Sequence, residues 1–319
     1  MQSLKEQIKK RVRSFLDVFM LPISWLAGKW LWWLRNQRIE NFPNTRNLFV
    51  RLGVFPIIDH YYDPLFQKKY LHKSSSEPRS LYIDWNAEFQ LQWLDELDYK
   101  HEVTDIPKTA NEGFYYNNAS FGSGDAEYWY SMIRRCKPKR VIEVGCGYST
   151  HLTQLAIQKN KKENPDFHCE HICIEPFERP WLENLGQKVY RERLELLDLS
   201  LFDTLESGDI LFIDSSHVIR PQGDVITYFL HILPRLKSGV IVHFHDIFTP
   251  FDYPESWILE EVRLFGEQYM LEVFLSNNSE WEIIGALNYL KHFYFYELKK
   301  VCPIMDENRE PGSFYIRKK

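Results

Sequence analysis

The stretch Arg140-Val-Ile-Glu-Val-Gly-Cys-Gly-Tyr-Ser-Thr150 constrains the fold most: an apolar strand runs into a short glycine turn and then a helix. Such a turn lets backbone amides approach a nucleotide-like ligand, because glycine adopts dihedrals other residues avoid and carries no Cβ. Glu143 sits two residues before Gly145, on the same face of the strand by its period of two. There it can meet a positive group or a hydroxyl above the turn. The run Gly145-Cys-Gly147-Tyr-Ser-Thr150 lacks the third glycine of a dinucleotide fingerprint.

Around this turn the chain alternates between strand and helix patterns. Asp125 reads as the N-cap of a helix through Arg135. Strands are expected at 140–145, 170–175, 187–191, 209–214 and 240–245, with helices near 149–159, 178–186 and 256–268. A further helix opens at Pro221 and closes near Lys237-Ser-Gly239. The run 159–165 reads as a loop, and 281–286 and 314–316 as final strands. This rhythm predicts an α/β fold with a doubly wound, mostly parallel sheet. The organisation expected is a segment 1–40, an irregular and helical extension 41–110, and the α/β domain 111–319.

The chain has 319 residues and a net charge of −5, so it lacks the concentrated basic charge of a nucleic-acid binder. Its five cysteines (136, 146, 169, 173, 302) show no zinc spacing and fit a reducing cytoplasm better than a disulfide framework. Residues 1–40 differ from the rest, and 1–38 are the part expected to meet a membrane surface. Leu4, Ile8, Val12, Phe15, Leu16, Phe19 and Met20 follow helical spacing, with Lys5, Lys9, Lys10, Arg11 and Arg13 on the other face. After Pro22 comes a Trp-rich run to Leu34. A spanning helix over 15–34 would carry Asp17 and Lys29, at a cost of roughly 2.5–3.5 kcal/mol each. A signal peptide lacks a small-residue cleavage site. The reading preferred is an amphipathic hairpin in the membrane interface, with Trp at headgroup depth and Lys/Arg on anionic lipid. The alternative is a helical pair packed on protein.

Ligands in open α/β sheets bind beyond the carboxyl ends of the strands. Collected there are the Gly145 turn, Glu175, Asp214-Ser-Ser-His217 and His245-Asp246. A carboxylate ending the second strand, as Glu175 does, suits ribose hydroxyls. The glycine turn resembles motif I of the class I methyltransferases that use S-adenosylmethionine (SAM). Across residues 110–290 the strand ends are similar to metal-dependent sugar and natural-product O-methyltransferases of the macrolide-tailoring kind. This resemblance implies that Glu143, Gly145, Gly147, Tyr148, Ser149, Glu175 and Asp214 hold the cofactor. It also implies that His217 is the general base, with Asp214 at the reacting hydroxyl, and that Asp214, His245 and Asp246 are metal ligands.

His245 replaces an acid of that family. The choices are Mg²⁺ held by Asp214, Asp246 and waters, a softer ion such as Mn²⁺, or no metal. His243 reads as a satisfied structural histidine. The function expected is SAM-dependent O-methylation of a glycan, glycolipid or natural-product hydroxyl by a cytoplasmic enzyme peripheral on the inner membrane face. No nucleic-acid partner is expected, and a homo-oligomer is admissible. The alternatives are an NAD(P)-dependent oxidoreductase, a catalytically silent membrane-associated scaffold, and a metal hydrolase or oxygenase on His243 and His245.

Overall fold

The computed structural model describes residues 2–109, 113–177 and 179–319, with the side chains of residues 2–4 left out. The Leu4 side chain, the expected boundary at 110/111 and the expected helix start at 178 lie outside the described residues.

Seven strands form one sheet: β1 (Arg140–Val144), β2 (Glu170–Ile174), β3 (Lys188–Tyr190), β4 (Ile210–Ile213), β5 (Ile241–Phe244), β6 (Trp281–Ala286) and β7 (Phe314–Lys318). Their order is β3-β2-β1-β4-β5-β7-β6. The first five strands pair in parallel, and β7 runs antiparallel to both neighbours. The doubly wound α/β fold expected from the sequence is the fold found. Its central strands are mostly apolar because both faces are covered, with Glu143, His171 and His243 as buried exceptions. Ile142, Val144, Leu211, Ile213, Val242 and Phe244 enter one core, and Val141, Ile210, Phe212 and Ile241 the other. The helices Asp125–Cys136 and Tyr148–Glu163 supply Trp129 and Leu152 to the second core, whereas Val225, Tyr228 and Leu271 belong to the first. The chain leaves β1 toward β2 on one side and β4 on the other, so a crevice opens beyond the carboxyl end of β1.

Several elements differ from expectation. The helix after β1 runs to Glu163, through the polar segment expected as a loop. Asn160 is buried there and donates to the Ile133 carbonyl, and Glu163 pairs with Arg134, so tertiary contacts hold the polar turn. The helix expected near 178–186 is only a 3₁₀ turn, Leu182–Leu185. The helix expected from Pro221 is an α-turn Asp224–Thr227, a π-turn Tyr228–Ile232 and a 3₁₀ turn Leu233–Arg235. Pro234 explains the irregularity, since it has no N–H to donate and crowds the carbonyl four residues back. The helix expected near 256–268 is two helices, Glu255–Leu259 and Glu267–Leu275, separated by a segment in which Val262 has φ 54°. Asp125 lies inside its helix, with Gly124 as the cap.

The chain divides into two compact units, Met1–His72 with Leu259–Leu264, and Lys73–Ile258 with Phe265–Lys319. The helices Ala87–Glu96 and Lys100–Thr104, grouped with the extension from sequence, are in the sheet-bearing unit. In the first unit the expected hairpin is replaced by one helix, Gln2–Asn36, with Pro22 inside it. At about 1.5 Å per residue it is roughly 52 Å long. Proline removes one backbone hydrogen bond, at about 3 kcal/mol. The apolar stripe of Ile8, Val12, Phe15 and Phe19 nevertheless continues in helical register through Leu26, Trp30 and Trp33 beyond it. Among the described residues no helix is long and apolar enough to cross a membrane.

Candidate active site

The glycine turn is built by close approach of backbone to backbone. Gly145 has φ 82°, its N–H donates to the Ile174 carbonyl of β2, and the Asp214 N–H donates to the Val144 carbonyl. A Cβ at Gly145 would stand 1.8 Å from the Asp214 carbonyl oxygen. At Gly147, by contrast, a Cβ would meet nothing within 4 Å. Glycine is thus forced at 145 by packing. At 147 it leaves space open.

That space belongs to a cavity of about 480 Å³ lined by Gly145, Gly147, Tyr148, Ser149, Glu175 and Asp214, with Ser120 and Phe121 from the preceding loop. The sequence-predicted cofactor residues are therefore together, with one exception. Glu143 is fully buried and outside the lining. One of its oxygens accepts from the Ser149 hydroxyl at 2.5 Å and the other lies 2.9 Å from His171 Nε2. It braces the turn from beneath, a correction to its expected contact with ligand, because strand burial takes the carboxylate below the cavity floor. Glu175 accepts from the Cys146 N–H at 3.1 Å and the Phe177 N–H at 2.9 Å. Each oxygen has a further lone pair for a ligand hydroxyl.

Beyond Asp214 lies a compact ionisable cluster. His217 Nε2 is 3.3 Å from Asp214 Oδ1 and 3.5 Å from Asp246 Oδ2. His245 Nδ1 is 3.5 Å from Asp214 Oδ1 and 3.4 Å from Asp246 Oδ1. His217 and Asp246 hold left-handed backbone angles, φ 58° and 60°. For a residue with a Cβ such angles are strained, and strain of this kind gathers at functional sites. The His217 carbonyl accepts from the Gly266 and Glu267 N–H groups, which fixes the strained loop. Burial opposes charge on both imidazoles, yet Asp214, Glu267 and Asp246 hold His217 well above its ordinary range, and Asp246 and Asp214 do the same for His245. Burial pushes the Asp246 carboxyl up, whereas His245 and His217 together hold Asp214 below the usual carboxylate range against its own burial.

Two cluster members were missed by sequence reasoning. Glu267 is fully buried, with one oxygen 2.6 Å from His217 Nδ1 and the other accepting from the Tyr228 hydroxyl. It orients His217 with Nε2 facing the two aspartates. The signal was the break at Gly266 before an acid and an apolar run, hidden by extending the preceding helix through it. Asp125 accepts from the Gly312 and Ser313 N–H groups, each at 2.8 Å, and lies 3.9 Å from His245 Nε2. His243 is buried but not satisfied: neither ring nitrogen has a hydrogen-bond partner, and the ring stacks on Tyr315 at 4.0 Å. Burial keeps it neutral. Thr249, Phe251 and Tyr253, in the loop after β5, are buried in packing.

Residues 142–247 match the family model for a methyltransferase domain. Over that third of the chain the protein is similar to a methyltransferase domain. The motif turn, Glu175, Asp214 and the His245-Asp246 pair all fall within the matched residues. An uncharacterised protein of Archaeoglobus fulgidus is 29% identical over 168 residues, spanning 47% of this chain and 74% of that protein. Similarity to solved structures is more distant. An O-methyltransferase from Bacillus cereus in complex with SAH is 13% identical, with TM-score 0.39 over 72% of this chain and 91% of that chain. MycE methyltransferase from the mycinamycin biosynthetic pathway, in complex with Mg and SAH, is 16% identical, with TM-score 0.31 over 60% of this chain and 48% of its own.

Proposed function

We propose that this methyltransferase transfers the SAM methyl group to a hydroxyl oxygen held at the Asp214–His217–Asp246 cluster. The observation that carries the proposal is the double position of Asp214, which lines the cofactor cavity and stands 3.3 Å from His217 Nε2. A methyl donor in the cavity and an acceptor on the cluster would meet there. His217 must be neutral for this step, and the proton that Asp214 and Asp246 hold on its ring would leave once a cation balances their charge. The acceptor O–H then gives its proton to Nε2, and the oxygen lone pair attacks the methyl carbon. The carbon–sulfur bond breaks with its electron pair remaining on sulfur. Glu267 keeps the ring oriented, and alignment supplies most of the remaining acceleration.

A divalent metal ion fits the cluster. His245 Nδ1 is buried without a hydrogen-bond partner, and its separations from Asp214 and Asp246 are too long for hydrogen bonds. They suit neighbouring ligands on one ion about 2.0–2.2 Å from each. Asp214, Asp246 and His245 would hold it, and a nitrogen donor favours Mn²⁺ over Mg²⁺. When bound, the ion supplies Lewis acidity that makes the hydroxyl easier to deprotonate. Asp246→Asn is expected to lower Mn²⁺ affinity at least about tenfold, read by calorimetry. Unchanged affinity would place the ion elsewhere.

Titration with S-adenosylhomocysteine tests the donor half of the proposal: heat of binding is expected from the parent chain. The absence of binding in folded protein would remove it. The acceptor class proposed is a glycan, glycolipid or natural-product hydroxyl at the cytoplasmic membrane face. Support for the membrane comes from exposed Phe15, Phe19, Trp25 and Trp32 on the Gln2–Asn36 helix, alongside Lys9, Lys10, Arg11 and Arg13. Apolar side chains and basic charge together suit an anionic interface. Deleting residues 2–36 is expected to abolish co-sedimentation with anionic liposomes; retained co-sedimentation would refute the assignment.

A further inference from the structure

A second cluster lies under the floor of the cofactor cavity, on β1, β2 and the glycine turn. Ligand atoms of Glu143, Cys146 and Cys173 lie within 4.8 Å of one another. His171 adds a fourth, its Nε2 2.9 Å from Glu143 Oε2 and 3.6 Å from Cys173 Sγ. All four residues are buried, and Leu182 with Trp181 and Val189 walls the thiol side.

We propose that Glu143, Cys146, His171 and Cys173 form a four-ligand site for Zn²⁺ or a similar thiophilic divalent ion beneath the cofactor turn. Two sulfurs, one imidazole nitrogen and one carboxylate oxygen are the ligand types that zinc takes in closed tetrahedral sites. Sulfur and nitrogen ligands at about 2.3 and 2.0 Å stand roughly 3.5 Å apart around a tetrahedral ion, close to the Cys173–His171 separation. The charge balance also works. The ion and two thiolates sum to zero, so filling the site adds no net charge to a region that already buries the Glu143 carboxylate. Two thiol protons leave to solvent, and the ion takes their place on sulfur.

The surroundings match those of a ligand set held in place. The Ser149 hydroxyl donates to Glu143, and the Gln154 side-chain amide lies 2.7 Å from His171 Nδ1. With the amide oxygen turned toward the ring, Nδ1–H donates to it and Nε2 presents its lone pair to the ion, the usual arrangement behind a ligating histidine. Cys146 also lines the cavity, which gives the ion its route in. The sequence hid this set because its cysteines stand 27 positions apart, on a turn and a neighbouring strand, rather than in a paired spacing.

The test is a Co²⁺ titration of the reduced, metal-free full chain, followed by absorption spectroscopy. It requires no methyl transfer, so its outcome is separate from that of the proposed function. The expected result is an intense near-ultraviolet thiolate-to-cobalt band that saturates with added ion. The band should be lost in Cys173→Ser and in Cys146→Ser and unchanged in Asp246→Asn, which belongs to the other cluster. Zinc affinity, measured by chelator competition, should fall at least about tenfold in either cysteine variant. Cobalt bound to the parent chain without that band overturns the proposal, whatever the folding of the variants. So does a band of full intensity in Cys173→Ser.

Discussion

Replacing His217 with alanine is expected to leave S-adenosylhomocysteine affinity unchanged and to lower kcat by about 10²- to 10⁴-fold, the usual contribution of a positioned general base. The separation follows from where the side chain sits. His217 is outside the cavity lining and faces Asp214 and Asp246 through Nε2, while Nδ1 is held by Glu267. Glu175→Ala should do the reverse. That carboxylate lines the cavity and fixes the Cys146 and Phe177 amides, so its loss removes ligand contacts and loosens the turn. At about 1.5–3 kcal/mol per charged hydrogen bond, affinity should fall roughly ten- to hundredfold. Calorimetry and single-turnover rates on both variants check the division. Equal loss of affinity in the two would contradict the roles assigned.

The glycines of the turn give the second large contrast. Gly145→Ala would drive a Cβ to 1.8 Å from the Asp214 carbonyl at a φ of 82°, where side chains are strained whatever the space. The obstacle is backbone, so β1 and β4 must part at their carboxyl ends. A loss of roughly 2–5 kcal/mol in stability is expected, and ligand binding should go with it. Gly147→Ala meets no atom within 4 Å, and its φ of −165° is ordinary extended backbone. Its stability should stay within about 0.5 kcal/mol of the parent. Its S-adenosylhomocysteine affinity should still drop, because the new methyl projects into the cavity. Thermal melts and titrations of the pair check both halves. A Gly147→Ala chain that bound the ligand normally would show that the donor does not approach the turn there.

These contrasts mark what could be read in the chain and what could not. Mostly apolar runs at 140–144, 210–213 and 241–244, alternating with helical periods, gave the strand positions because a strand covered on both faces is apolar over most of its length. That Gly145, Gly147, Glu175 and Asp214 would come together was legible because they follow the carboxyl ends of neighbouring strands, and all four line the cavity. Helix breaks were less legible. Pro234 disturbs a helix whose start and stop signals looked regular, and the Gly266 break hid Glu267.

By itself, then, the sequence determined most of the strands, their order along the chain and the strand ends beside which the cavity opens, since hydrophobic period and glycine placement act locally. Tertiary structure decided which ionisable groups face one another. Glu267 meets His217 from 50 positions away, Asp125 approaches His245 from 120, and Cys146 reaches Cys173 across neighbouring elements. Pairings of that kind depend on how strands and loops register in space, and the Coulomb and ligand-field energies they carry depend on distances that no local pattern encodes.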